Sequence, residues 1–174
     1  MAGAAPAPRR DEGDAPASGA TPRFAVVAAR FNERITERLV AGARHAFAEA
    51  KIAAEDVELH WVPGSFELPQ AASHLAATRR YAGIVCLGVV IRGQTPHFEY
   101  VAREAAAGIR EVALSTGIPV TFGVITALNE DQAWARAGGA VGNRGQEAAD
   151  AAIEMAAFVE RVREGRVDGP APKS

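Results

Sequence analysis

The sequence predicts a doubly wound α/β fold, three layers in the order αβα around a four-stranded parallel sheet, and two observations predict it. From Arg23 onward, short apolar runs rich in branched residues alternate with longer segments of helical period, as in a parallel sheet covered on both faces. The residues of unusual chemistry then fall at the exits of four consecutive runs, where the loops and helix N-termini of an open parallel sheet gather around ligands.

The runs "RFAVVAA" (23 to 29), "VELHWV" (57 to 62), "GIVCLGVVI" (83 to 91) and "VTFGVIT" (120 to 126) are bounded by glycine, proline or charge and read as the strands. Between the first two, "ITERLVAGARHAFAEA" (35 to 50) sets Ile35, Leu39, Ala43 and Phe47 in one apolar stripe, with Arg34, Arg38, Arg44 and Glu49 off it. "LPQAASHLAATRR" follows the second strand and "HFEYVAREAAAGIREVALSTG" the third. After the fourth come a short helix near "DQAWARA", a glycine-rich link "GGAVGNRG" and a final helix "QEAADAAIEMAAFVERVRE". Ala148, Ala152, Met155 and Val159 are expected on the face of that helix that covers the sheet. The layers are flavodoxin-like.

The length of 174 residues suits one domain, expected over 22–165. The first 21 residues hold alanine, proline, glycine and charge without a hydrophobic block, and a flexible tail is expected there and over 166–174. A net charge of -2 offers no basic surplus for nucleic acid or an anionic membrane, so small-molecule partners are favoured. No apolar stretch reaches the roughly 20 residues of a membrane span. The N-terminal segment has neither an apolar secretory core nor the acid-poor composition of a transit peptide, which predicts a cytoplasmic protein. The single cysteine, Cys86, lies in an apolar run and reads as a core residue, which excludes a disulfide framework or a zinc cluster.

At the third exit, "VIRGQTPH", Thr95 is expected as N-cap with Pro96 at the first helical position. The free amides of Gln94 to Phe98 then face the ligand side, Gly93 allows close approach and the helix dipole favours an anion. Arg92 either adds positive charge to that site or pairs with a carboxylate of the scaffold. His97, in the first helical turn, is the natural proton carrier. At the second exit, "VPGSFELP", Glu67 either binds ligand hydroxyls and amines or caps the helix. At the first, Phe31 either stacks on a flat ring or closes the core. His45, His60 and His74 are not at metal-ligand spacing and read as surface or core residues, so no metal site is expected. The glycines of "GGAVGNRG" match neither nucleotide fingerprint. Neither a nucleophile elbow nor paired catalytic carboxylates occur. The chemistry that remains is positioning, anion binding and proton transfer.

"ARFN", "VPGSFELP", "LGVVIRGQTPHFEYV", "PVTFGVIT", "EDQAWARAG", "GNRG" and "AIEMA" occur in the order and spacing of one family. On these motifs the chain resembles the 6,7-dimethyl-8-ribityllumazine synthases of riboflavin biosynthesis. The resemblance implies a transferase that condenses 5-amino-6-(ribitylamino)uracil with 3,4-dihydroxy-2-butanone 4-phosphate, losing phosphate and water, with neither metal nor redox cofactor. By motif position, Phe31 would stack on the pyrimidine, Ser65, Phe66 and Glu67 would hold the ribityl chain, and Val89, Val90 and Ile91 would line the ring pocket, partly through main chain. Gly93, Gln94 and Thr95 would cradle the phosphate, and His97 would carry protons. Phe122 and Arg136 would come from the adjacent subunit of a pentamer, Arg136 onto the phosphate. Family members form pentamers, decamers or sixty-subunit shells. With no obvious insertion between the last two helices, a sixty-subunit shell is the expectation, with riboflavin synthase as a candidate guest.

Ala140 and Arg144 stand where many family members have lysine, and the whole chain holds only Lys51 and Lys173. Arg144 keeps the charge without the compact, readily deprotonated ammonium. The alternative reading is a non-catalytic relative that forms shells or binds flavin or lumazine, for which His97, Glu67 and Arg136 would be unnecessary together. A nucleotide-binding flavodoxin-like domain would want a phosphate loop after the first strand, where the chain has "RFNER".

Overall fold

The computed structural model describes residues 22–166, so the tail expected over 1–21, and all but the first residue of that over 166–174, lie outside the described residues. β1 (Phe24–Ala29), β2 (Val57–Val62), β3 (Gly83–Ile91) and β4 (Val120–Ala127) form one sheet in the order β2-β1-β3-β4, every pair parallel. Successive side chains of β1 leave it on opposite faces. Phe24, Val26 and Ala28 enter the core under α1 (Glu33–Glu49) and α5 (Arg144–Arg163). Ala25, Val27 and Ala29 enter the core under α2 (Leu68–Ala77) and α3 (His97–Thr116). Both faces being buried, the central strands have no place for a polar residue, and this is why they read as unbroken apolar runs. Cys86 is fully buried on β3, and that burial pushes its thiol up to about 12.

Edge strand β2 is half-buried along its whole length and tolerates Glu58 and His60. The Glu58 carboxylate accepts hydrogen bonds from the Tyr81 hydroxyl, from Arg80 at 2.9 Å and from Arg23 at 2.6 Å, tying together the chain entering β1, β2 and β3. The Tyr81 hydrogen bond, opposed by partial burial and reinforced by Arg80, Arg23 and His60, holds the Glu58 carboxyl below its ordinary 4.5. Burial first, and then Glu58, raises the Tyr81 phenol. A carboxylate depressed in the folded state stabilises the fold above its unfolded value and loses that contribution as pH falls through the folded one. The melting temperature is therefore expected to fall as pH drops below the ordinary 4.5 of Glu58. Glu58→Gln, lacking the contribution at neutral pH, melts lower there and shows a flatter profile over roughly pH 5 to 3.

α1 and α5 approach closely because small residues meet: Gly42, Ala43 and Ala46 on one, Gly145, Ala148, Ala149 and Ala152 on the other, all buried. A Cβ on Gly145 would stand 2.0 Å from the Leu39 carbonyl oxygen, and one on Gly42 would stand 2.3 Å from the Asn143 side chain. Asn143 sets the start of α5. Its Oδ1 accepts from the amides of Gly145 at 2.9 Å and Gln146 at 3.2 Å, while its Nδ2 donates to the Arg38 carbonyl at 2.9 Å. The helix thus begins at Arg144, two residues before the expected Gln146.

Two further expectations are corrected. The glycine-rich link is an antiparallel hairpin of β5 (Ala137–Gly139) and β6 (Gly142–Asn143), following α4 (Glu130–Ala135). Gly138 (φ 97) and Gly142 (φ 96) take the left-handed conformations its tight turn needs. On α5 the buried arc runs through Gly145, Ala148, Ala149 and Ala152, whereas Met155 is 45% exposed and Val159 only half-buried. With one face of the helix already filled against α1, Met155 falls on its margin.

Candidate active site

The site residues gather where three strands leave the sheet. Beyond β1 the backbone keeps pairing toward β2, with the Arg30 amide donating to the Val62 carbonyl at 2.8 Å and the Phe31 amide to the Pro63 carbonyl at 3.0 Å. This brings Phe31 beside the second exit. Its ring is 72% exposed, which removes the reading in which it closes the core. Asn32 turns the chain into α1 with φ 63 and ψ 38, and its carbonyl accepts the amides of Ile35 and Thr36.

At the second exit, Ser65–Glu67 form one 3₁₀ turn before α2. Ser65 is buried, and a Cβ on Gly88 of β3 would come within 2.5 Å of its Oγ, so glycine at 88 lets this turn sit against β3. Phe66 points outward, 57% exposed. Glu67 lies at the head of α2 but makes no side-chain cap bond, so the capping alternative is not the one the chain adopts.

At the third exit the Val89 and Val90 side chains are buried, in the cores of opposite sheet faces. What they can offer a ligand is main chain. The Arg92 amide donates to the Ala127 carbonyl at 2.9 Å, and its guanidinium makes no ion pair among the described residues, so scaffold pairing is not seen. Residues 92–97 are all exposed. α3 begins at His97, one residue later than expected, with Pro96 at the cap position in helical dihedrals (φ -65, ψ -1), and no side chain caps α3. The expected Thr95 cap is therefore corrected: the Glu99 amide donates to the Pro96 carbonyl at 2.9 Å, and the earlier amides of the turn remain open. A Cβ on Gly93 would meet nothing within 4 Å, so no contact inside the chain calls for glycine there.

Phe31, Ser65, Phe66, Glu67, the main chain of Val89, Val90 and Ile91, and Gly93 to His97 thus lie around one end of the sheet. Phe122 does not join them. Phe122 pairs with Cys86, and Ala127 with Ile91, which puts Phe122 five residues back along β4, about 16 Å at ~3.3 Å per residue. Its ring is 44% exposed. Arg136 ends α4, its Nη1 donating to the Gln132 carbonyl at 3.0 Å. The Arg144 amide donates to the Arg136 carbonyl at 2.9 Å, so these two arginines stand together at the base of the hairpin, with Ala140 exposed at its tip. The Arg144 guanidinium is paired with Glu147.

A surface groove of about 530 Å³ lies apart from these exits, beside Arg38, Trp134 and the hairpin, and one of about 230 Å³ adjoins the first exit, lined by Asn32, the start of α1 and Glu130. Among the described residues no group of three or more potential metal ligands occurs, and no helix is long and apolar enough to cross a membrane. Among the described residues, Asn32, which carries no chemistry that residue type alone would single out, is the one whose side chain bridges the first and third exits. Its signal is an asparagine in the short turn between a strand and a helix, a residue type that accepts the left-handed conformation. Compared with known protein families, residues 21–160 match the model described as 6,7-dimethyl-8-ribityllumazine synthase.

Proposed function

Since the chain belongs to the 6,7-dimethyl-8-ribityllumazine synthase family, transferases of riboflavin biosynthesis, we propose that it condenses 5-amino-6-(ribitylamino)uracil with 3,4-dihydroxy-2-butanone 4-phosphate. One observation carries the reading: the polar groups at the strand exits are left unspent by the fold. Among the described residues, Glu67 and Thr95 make no cap bond, Arg92 makes no ion pair, and Gly93 faces open space. Groups that a scaffold does not use are available to a ligand.

In this reading the pyrimidine lies on the exposed Phe31 ring and meets the main chain of Val89 to Ile91. Glu67 accepts hydrogen bonds from ribityl hydroxyls. The phosphate sits against Gly93, Gln94 and Thr95 at the head of α3, where open amides and the helix dipole favour an anion. His97 begins the same helix, beside the phosphate. The pyrimidine amine attacks the ketone, water leaves to give an imine, and phosphate is eliminated before ring closure. His97 takes and returns protons during the imine and elimination steps. Amine and ketone are reactive in themselves, so holding them in near-attack geometry supplies most of the acceleration, roughly 7 to 11 kcal/mol at best.

Phe122, apart from the cluster in the single chain, and Arg136 complete the site from a neighbouring subunit of a pentamer, and the pentamers build a sixty-subunit shell in the cytoplasm. The Phe122 ring, partly exposed and five residues back from the end of β4, supports this division. Arg136→Ala is expected to raise the KM for the butanone phosphate about tenfold to a hundredfold, the scale of a charge-assisted hydrogen bond, with the pyrimidine KM little changed. At butanone phosphate concentrations well below the KM of Arg136→Ala, mixed assemblies of His97→Ala and Arg136→Ala subunits should exceed the activity of either variant alone. Unchanged phosphate affinity in Arg136→Ala, or no recovery on mixing, would contradict the shared site.

A further inference from the structure

β3 leaves the sheet with its two flanks held very differently. On the β4 side the ladder continues to its end, with Val89 opposite Ile125, Val90 opposite Thr126, Ile91 opposite Ala127, and the Arg92 amide on the Ala127 carbonyl. On the β1 side it stops at Ala28 opposite Leu87, because β1 turns away to follow β2 through Arg30 and Phe31. The strands part at the switch point of the sheet order, where ligands of open α/β sheets bind. Across that gap the Asn32 Nδ2 donates to the Val89 carbonyl at 3.0 Å, to a partner 57 residues away.

We infer that Asn32 is a positioning residue: its side-chain amide braces the exit of β3 against the exit of β1, and so sets the distance between the Phe31 ring and the main chain of Val89 to Ile91. Its backbone makes the brace possible. With φ 63 and ψ 38 it occupies the left-handed region that asparagine tolerates better than most residues, and in that turn the short side chain follows directly on Phe31. The carbonyl of the same residue accepts the first amides of α1, at 3.0 Å from Ile35 and 3.1 Å from Thr36. One residue thereby joins the ring platform, the head of α1 and the β3 exit.

The inference rests on the proposed synthase reading only for its kinetic arm. Asn32→Gly suits the test, since glycine takes the left-handed turn freely and only the amide is lost. Asn32→Asp keeps the size but faces the Val89 carbonyl without a donor. In ligand-free protein, amide hydrogen exchange over residues 88–93 should accelerate about tenfold in both variants, the scale of one hydrogen bond, while residues 24–29 remain protected as in wild type. In turnover, the pyrimidine KM should rise about tenfold, with the butanone phosphate KM within about twofold of wild type. Wild-type exchange over 88–93 in both variants overturns the brace, whatever the kinetics, because a residue that only touched substrate would leave the ligand-free strand unchanged. Accelerated exchange with an unchanged pyrimidine KM overturns the positioning role. Absence of turnover in wild type would instead count against the synthase reading and leave the exchange arm to decide the brace.

Discussion

His97→Ala is expected to lower kcat about a hundredfold, at the lower end for loss of a general acid–base group, with both KM values nearly unchanged. The lower end applies because positioning, rather than proton transfer, carries most of the proposed acceleration. His97 is the first residue of α3, exposed, and makes no hydrogen bond or ion pair among the described residues. Its removal should therefore leave the fold and the melting temperature as they are. Added imidazole should restore part of kcat by entering the space the side chain vacates. A loss seen mainly in KM, or one that imidazole does not relieve, would make His97 a binding group instead.

Gly145→Ala is expected to destabilise the protein by about 3 kcal/mol or more, the upper range for overpacking a filled core. The added Cβ would stand 2.0 Å from the Leu39 carbonyl oxygen and 2.6 Å from its carbon, backbone atoms that cannot rotate away. α1 and α5 would have to separate, straining the Asn143 bridge to Arg38 and exposing Ala148, Ala149 and Ala152. Thermal melting and denaturant titration measure this directly. Gly93→Ala is the control, since its Cβ enters open space: it should melt as wild type does and, in the proposed reading, weaken binding of the butanone phosphate. If Gly145→Ala melts within a few degrees of wild type, the close helix contact is not the stabilising feature described.

The four strands were legible to within a residue at each end: β1 and β3, buried on both faces, leave uninterrupted apolar runs, and β2 and β4 are short branched runs bounded by charge, proline or loop residues, signals that are local. The stripe of Ile35, Leu39, Ala43 and Phe47 on α1 was legible for a related reason, and all four are buried. The hairpin over 137–143 was not, because glycines chosen for positive φ carry no hydrophobic period. Asn32 and Asn143 escaped notice because their decisive partners, Val89 and Arg38, lie 57 and 105 residues away. Glu67 and Thr95 show the limit from the other side. Thr95 has the residue type of a cap but falls one residue before the cap position, which Pro96 occupies, and Glu67 has the position without making the bond. The exits that build the candidate site could be read from strand order alone, whereas the separation of Phe122 from them needed the register of β4.

The most direct test of the central proposal is formation of the fluorescent lumazine when the purified protein meets 5-amino-6-(ribitylamino)uracil and 3,4-dihydroxy-2-butanone 4-phosphate, measured against the uncatalysed mixture. The synthase reading predicts product that accumulates in proportion to protein concentration and saturates with both substrates. Product at the uncatalysed rate from an assembled protein that still binds the pyrimidine would contradict it. That result would leave a shell-forming or lumazine-binding member of the family, with the pairing of Arg144 to Glu147 and the alanine at 140 the first features to reverse.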